Sequence, residues 1–290
     1  MQQNHFGPRK RAVVCRIGMA LLFGAILSGC QSPQLALQEL ATVHSRHVET
    51  LASIPFPLAF SAPPKQTATP LIRVYLEGDG HAWATRSQPS LDPSPRSLLV
   101  ARLAFDDPLP SVYLARPCQF IKANGCTTSL WTNRRFAPEV VGSLDHALTL
   151  IKSRYGNDKF ELIGYSGGAA LALLLAAQRN DIAQVQTLAG NLSPRQWAQL
   201  QQLTPLTGSM EPLDQRRQLL DLPQRHLAGA NDNIVPPQLM RSYMDTLGPA
   251  ACLESAVLPK VSHTDGWQLA WIYWRDRPLS CRPRQSPQGR

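Results

Sequence analysis

Four things are missing from this 290-residue chain, and each absence narrows what it does. There is no run of five or more like charges. The formal charge of +9 therefore does not collect into a nucleic-acid-binding stripe. Much of the excess sits in Arg9, Lys10, Arg11 and Arg16, which have no acidic neighbour before position 30. Without these four, 25 basic residues face 20 acidic ones. No apolar run is longer than eleven residues, the length of the one at 17–27, too few for a permanent bilayer-spanning helix. The six cysteines include no CxxC pair and have no histidine at zinc spacing, so a metal centre is not expected. No internal repeat is found, which excludes solenoids and arrays.

The first thirty residues are organised as a basic start, an apolar core and the small-residue end Ser28-Gly29-Cys30. Leu27-Ser28-Gly29-Cys30 resembles the bacterial lipobox. The resemblance implies a signal peptide over 1–29 and a lipidated, palmitate-bearing Cys30 as first mature residue, anchoring the chain to a membrane without spanning it. Gln31 is not the aspartate that keeps some lipoproteins at the inner membrane, so the outer membrane facing the periplasm is the expected location. Export leaves Cys118, Cys126, Cys252 and Cys281 in an oxidising compartment. Four cysteines allow three pairings. Cys118–Cys126, closing a short loop, and Cys252–Cys281, pinning a late strand to the tail, are the favoured ones.

Residues 30–70 carry Pro33, Pro55, Pro57, Pro63, Pro64 and Pro70 and read as a tether with one short helix and a proline-rich lead-in. His44 and His47, three apart there, read as solvated polar residues. From 71 to 280 strand and helix patterns alternate. Strands are expected at 71–76, 112–115, 160–163, 182–188, 226–228 and 253–258. Helices are expected at 95–105, 138–155, 169–177, 238–247 and 267–274. Pro138 suits a first turn and Gly156 a left-handed end. Residues 191–222, rich in Gln, Leu and Pro, read as a small helical insertion, and 281–290 as a tail. The alternation implies an α/β fold with a mostly parallel sheet covered on both faces.

Gly164-Tyr165-Ser166-Gly167-Gly168 lies between an apolar strand and an alanine/leucine helix, the setting of a nucleophile elbow. The bare string recurs by chance, so its partners decide. Asp232 lies in Gly229-Ala230-Asn231-Asp232-Asn233-Ile234-Val235-Pro236 after one expected strand. His263 follows the next strand and precedes the last helix. With Ser, Asp and His in that order, residues 70–278 resemble an α/β-hydrolase of the serine-esterase type. The resemblance implies Ser166 as nucleophile, His263 as base and Asp232 as orienting acid. It also implies Gly167 as one oxyanion donor and the loop Glu77-Gly78-Asp79-Gly80 as source of the second, from Asp79 or Gly80, with Asp79 preferred. Glu77 departs from the pattern by standing where a histidine is common. Glu77 and Asp79 as a cation site is the weaker alternative.

Competing assignments are few. Asp265 reads as a cap of the last helix, His226 as packed in a strand, His146 as solvent-facing, and His81 as the rival base. Trp83, Trp131, Trp197 and Trp267 lie near or between expected loops where they could line an acyl pocket; core packing is the competing reading, stronger for Trp267 and even for Trp83. The expected activity is hydrolysis of a small or lipid-like carboxylic ester by a monomer without cofactor or metal. A non-catalytic envelope scaffold and an acyltransferase with the same triad are the alternatives.

Overall fold

In this computed structural model, which describes residues 31–62 and 69–281, the alternating segments assemble into one eight-stranded sheet covered by helices. The strands are β1 (Glu49–Leu51), β2 (Leu58–Ser61), β3 (Leu71–Leu76), β4 (Ser111–Leu114), β5 (Lys159–Tyr165), β6 (Ile182–Leu188), β7 (Gln224–Gly229) and β8 (Leu253–Leu258). Their spatial order is β1-β2-β4-β3-β5-β6-β7-β8. The pairings of β2 with β1 and β4 are antiparallel, and all others are parallel. β3 and β5 run in register from Leu71 opposite Lys159 to Leu76 opposite Gly164. Their carboxyl ends therefore finish side by side where the glycine loop and the serine begin.

The helices are α1 (Pro33–Val43), α2 (Leu99–Phe105), α3 (Pro138–Tyr155), α4 (Gly167–Gln178), α5 (Pro194–Leu200), α6 (Arg216–Leu220), α7 (Pro237–Leu247) and α8 (Trp267–Trp274). Strand alternation sorts them onto two faces. Ile72, Val74, Leu76, Phe160 and Leu162 pack with α3, α4, α6 and α7. Tyr75, Tyr113 and Ile163 pack with α1, α2 and α8. α4 is buried on every side, which explains a helix of almost nothing but alanine and leucine. α3 carries Pro138 in its first turn and ends at Gly156, whose φ of 68° is left-handed.

Two expectations are corrected. Residues 33–62 are not a tether but part of the compact unit that runs from Pro33 onward. α1 buries Leu37, Leu40 and Ala41, and all four residues of β2 are buried between β1 and β4. The second correction concerns the helix expected from 95, which begins only at Leu99. Residues 93 and 94 are instead held by the glycine loop and its neighbours: His81 donates its amide to the Pro93 carbonyl, and Phe120 donates its amide to Ser94 Oγ.

The insertion between β6 and β7 contains α5, a 3₁₀ turn at Pro212–Gln215 and α6. Cys118 is bonded to Cys126 and Cys252 to Cys281. The signal segment, Cys30 and most of the tail lie outside the described residues.

Candidate active site

Ser166 sits between β5 and α4 with φ 51° and ψ −121°, a conformation that a side-chain-bearing residue adopts only under constraint. The constraint is the close approach of strand to helix. A Cβ on Gly164 would lie 2.6 Å from the Ala169 Cα, so only glycine lets the two elements meet. The amide of Asn191, just past β6, donates to the Ser166 carbonyl at 2.9 Å, and the Ser166 amide donates to the Leu188 carbonyl at 3.0 Å. The bend is thus held from the neighbouring strand.

The structure brings the three residues singled out by their order into one hydrogen-bonded line. His263 Nε2 is 3.1 Å from Ser166 Oγ, and His263 Nδ1 is 2.8 Å from Asp232 Oδ2. Asp232 is buried, and its other oxygen accepts the amides of Ile234 at 2.9 Å and Val235 at 2.8 Å. The acid loop therefore curls around its own carboxylate and aims one oxygen at the imidazole. That oxygen needs a proton facing it, which puts hydrogen on Nδ1 and leaves the Nε2 lone pair for the serine hydroxyl. The histidine loop is fixed from beneath. Its His263 carbonyl accepts from the Tyr165 hydroxyl at 2.8 Å and from Trp267 Nε1 at 3.0 Å.

Other candidates fall elsewhere. His226 is fully buried in β7, bonded to Thr187 Oγ1 and Gln224 Oε1, and burial pushes its pKa down to about 3. His44 contacts Asp106 at the end of α2. Asp265 makes no side-chain cap on α8, contrary to expectation. It closes its own turn by accepting from Ser262 Oγ at 2.8 Å. Of the tryptophans, Trp131, Trp267 and Trp271 are buried. Trp83 is 40% exposed, and Trp197 donates to the Ile234 carbonyl at 2.9 Å. A cavity of about 180 Å³ lies within the insertion between Ala198, Leu203, Leu206 and Met210.

The loop after β3 lies against the serine. A Cβ on Gly78 would come within 3.2 Å of the Ser166 Cβ. Gly167 opens α4, so its amide has no partner inside the helix. Among the described residues no protein acceptor pairs with the amides of Asp79 or Gly80. Gly80 packs against the Pro93 carbonyl and Gln119, whereas Asp79 packs against Gly167. Both oxygens of Glu77 are taken: Oε1 accepts the Gly78 amide and Oε2 the Tyr113 hydroxyl, both at 2.9 Å. Asp79 is bound by Arg116 and Arg135. Both loop carboxylates are thus occupied by protein donors. Among the described residues no group of three or more His, Cys, Asp or Glu side chains could hold a metal ion. Arg116 and Arg135 belong to no motif, and sequence reading passes over them. Only the folded chain carries the signal, because the three residues are 37 and 19 positions apart.

The assembly can polarise a serine hydroxyl and receive the negative charge its attack creates. No family model and no curated protein matches the chain. Solved structures do. An esterase, Pf2001, from Pyrococcus furiosus superposes with a TM-score of 0.58 at 11% identity, covering 81% of this chain and 91% of that one. An α/β serine hydrolase homologue from Coxiella burnetii gives 0.51 at 16%, covering 79% and 93%. An α/β serine hydrolase without lid from Xanthomonas campestris gives 0.50 at 16%, covering 82% and 97%. At such identities the likeness is one of fold. The chain has the α/β-hydrolase fold.

Proposed function

We propose that this chain is a serine hydrolase of carboxylic esters or related acyl compounds, held at the cell envelope by a lipid on Cys30. The observation that carries the activity is the unbroken line Asp232–His263–Ser166, with contacts of 2.8 and 3.1 Å. A binding scaffold has no use for a strained serine, a buried acid and a correctly oriented imidazole in one line.

In the reaction, Ser166 Oγ bonds to the substrate carbonyl carbon while its proton passes to His263 Nε2. The carbonyl π pair moves to oxygen, where the amides of Gly167 and Asp79 receive the charge. Asp232 steadies the imidazolium through Nδ1. Collapse breaks the bond to the leaving alcohol, which takes the proton from Nε2. Water, deprotonated by the same nitrogen, then releases the acid and restores the serine. The lipid anchor is supported by the lipobox-like Leu27-Ser28-Gly29-Cys30 alone.

One labelling experiment tests both parts. Cells producing the full chain are treated with a fluorophosphonate probe and separated into membrane and soluble fractions. The chain should be labelled in the membrane fraction, and Ser166→Ala should abolish both the label and nitrophenyl-ester hydrolysis. Cys30→Ser should keep the label but leave the membrane. Labelled Ser166→Ala would sink the nucleophile, and membrane-bound Cys30→Ser would sink the anchor.

A further inference from the structure

The loop after β3 carries a buried ion cluster that donation of a backbone amide does not by itself require. Asp79 Oδ1 is bound by Arg116 Nη1, and Oδ2 by Arg135 Nη1 at 2.5 Å. Both arginine side chains are 5% exposed. Each guanidinium is anchored elsewhere as well. Arg116 Nη2 donates to the Arg135 carbonyl, and Arg135 Nε donates to the Thr132 carbonyl at 2.6 Å. Arg116 lies 5.3 Å from the Phe136 ring centre and Arg135 5.7 Å from that of Trp197. Burial alone would raise the Asp79 pKa. The two arginines outweigh it and hold the carboxyl below its usual value, so the cluster is one anion between two cations.

Its position gives it a role. A Cβ on residue 167 would lie 2.1 Å from Asp79 Oδ1 and 3.1 Å from Arg116 Nη1. The cluster is therefore seated on the α-carbon of the residue whose amide is the first oxyanion donor, and only glycine admits it there. On the reading proposed above, the second donor is the amide of Asp79 itself. Pinning the Asp79 side chain at both oxygens leaves its backbone little freedom to turn that amide away. Two guanidinium groups against one carboxylate also leave a net positive charge beside the Gly167 α-carbon, next to the oxyanion amides.

Resting on the serine-hydrolase reading above, we propose that Arg116 and Arg135 are positioning residues. Acting through the Asp79 carboxylate, they fix the second oxyanion amide and supply positive charge beside it.

The test compares wild type with Asp79→Asn, Arg135→Gln and Arg135→Lys on a nitrophenyl ester. It also measures inhibition by a trifluoromethyl ketone, whose adduct with serine carries the oxyanion, and by the product carboxylate. Asp79→Asn and Arg135→Gln should lower kcat roughly 10²-fold, with KM within about threefold of wild type. Ketone affinity should fall in parallel with kcat/KM, while product affinity holds. Arg135→Lys, which keeps a charge but loses the planar fork, should recover about a tenth of the loss or more. A general loss of structure would lower ketone and product affinity together, with no recovery by lysine, and would overturn the proposal. So would wild-type kcat in Asp79→Asn or Arg135→Gln. Should Asp79→Asn fail to fold, the two Arg135 variants decide alone. A wild type that turns over no ester and takes no fluorophosphonate sinks the hydrolase reading instead, which separates the two failures.

Discussion

Glu77 stands at the end of β3 where many esterases carry a histidine, and it is 2% exposed. Burial pushes its pKa up to about 7, a rise only partly offset by the Gly78 amide, the Tyr113 hydroxyl and the charge of Arg116. The folded chain therefore holds this proton more tightly than the unfolded chain, whose carboxyl titrates near 4.5. Folded and unfolded states differ most in bound protons between these two values, and the folded state binds more. Stability from this group thus falls as pH rises from about 4.5 to about 7 and stays low above. Removing the charge should remove the slope. Relative to Glu77→Gln, wild type should lose on the order of 3 kcal/mol between pH 4.5 and pH 8, measured by urea unfolding. An identical difference at both pH values would show that the carboxyl does not titrate in this window. Asp79, two residues on, has the opposite fate because two arginines meet it. The same loop thus holds one carboxyl whose proton is retained and one whose charge is kept.

Helices and strands are legible in the sequence to the extent that the interactions specifying them are local. β5 and α4 were legible because an apolar strand, a glycine turn and an alanine/leucine helix are local patterns. α3 was legible because its apolar residues recur at helical spacing between Pro138 and Gly156. β1 and β2 were not. Three or four residues among prolines carry no periodicity, and only pairing with β4 makes them strands. β7 was legible only in part. Its apolar core suggested 226–228, but the strand runs over Gln224–Gly229, including three polar residues that are all buried. Gln224, Arg225 and His226 survive there because neighbours supply every partner. His226 does so as the neutral imidazole, between Thr187 and Gln224. With its pKa lowered by burial to about 3 from an ordinary 6.5, the folded state resists protonation and the unfolded state does not. The contribution of β7 is thus complete above about pH 6.5 and declines as pH falls. Between pH 6.5 and 5 the loss should be about 2 kcal/mol relative to His226→Asn, in urea unfolding. Glu77 acts with the opposite sign over the same range, so each must be read against its own variant. A stability difference from His226→Asn that does not change with pH would rule out a buried neutral histidine.

Across the whole molecule, Ser166, Asp232 and His263 follow the carboxyl ends of β5, β7 and β8, and what holds the opposite end of these strands lies partly in the chain's last described residues. Arg225 is inaccessible and bonds Glu254, Gln186 and the carbonyls of Trp274, Arg277 and Pro278. Arg73 bonds Glu161, Asp107 and Asp276, together with the Arg275 carbonyl. The carbonyls of the last residue of α8 and of the segment just beyond it are thus collected by two buried guanidinium groups from β7 and β3. None of this is legible in sequence, since it joins residues from 29 to 203 positions apart. The Cys252–Cys281 bond, 29 residues in span, completes the attachment by tying the start of β8 to the segment beyond Pro278. Closing a loop of that length restricts the unfolded chain by about 2–4 kcal/mol. Spread over a unit of this size, that corresponds to a midpoint lower by roughly 5–15 °C when the bond is absent. Cys252→Ser/Cys281→Ser should show this drop in thermal unfolding while hydrolysing a nitrophenyl ester at the wild-type rate at 25 °C. Arg225 and Arg73 still hold the carbonyls, and α8 still seats the histidine loop through Trp267. An unchanged midpoint would mean that the arginine contacts alone secure the tail. A lost rate at full folding would mean that the tail, and not only α8, positions His263.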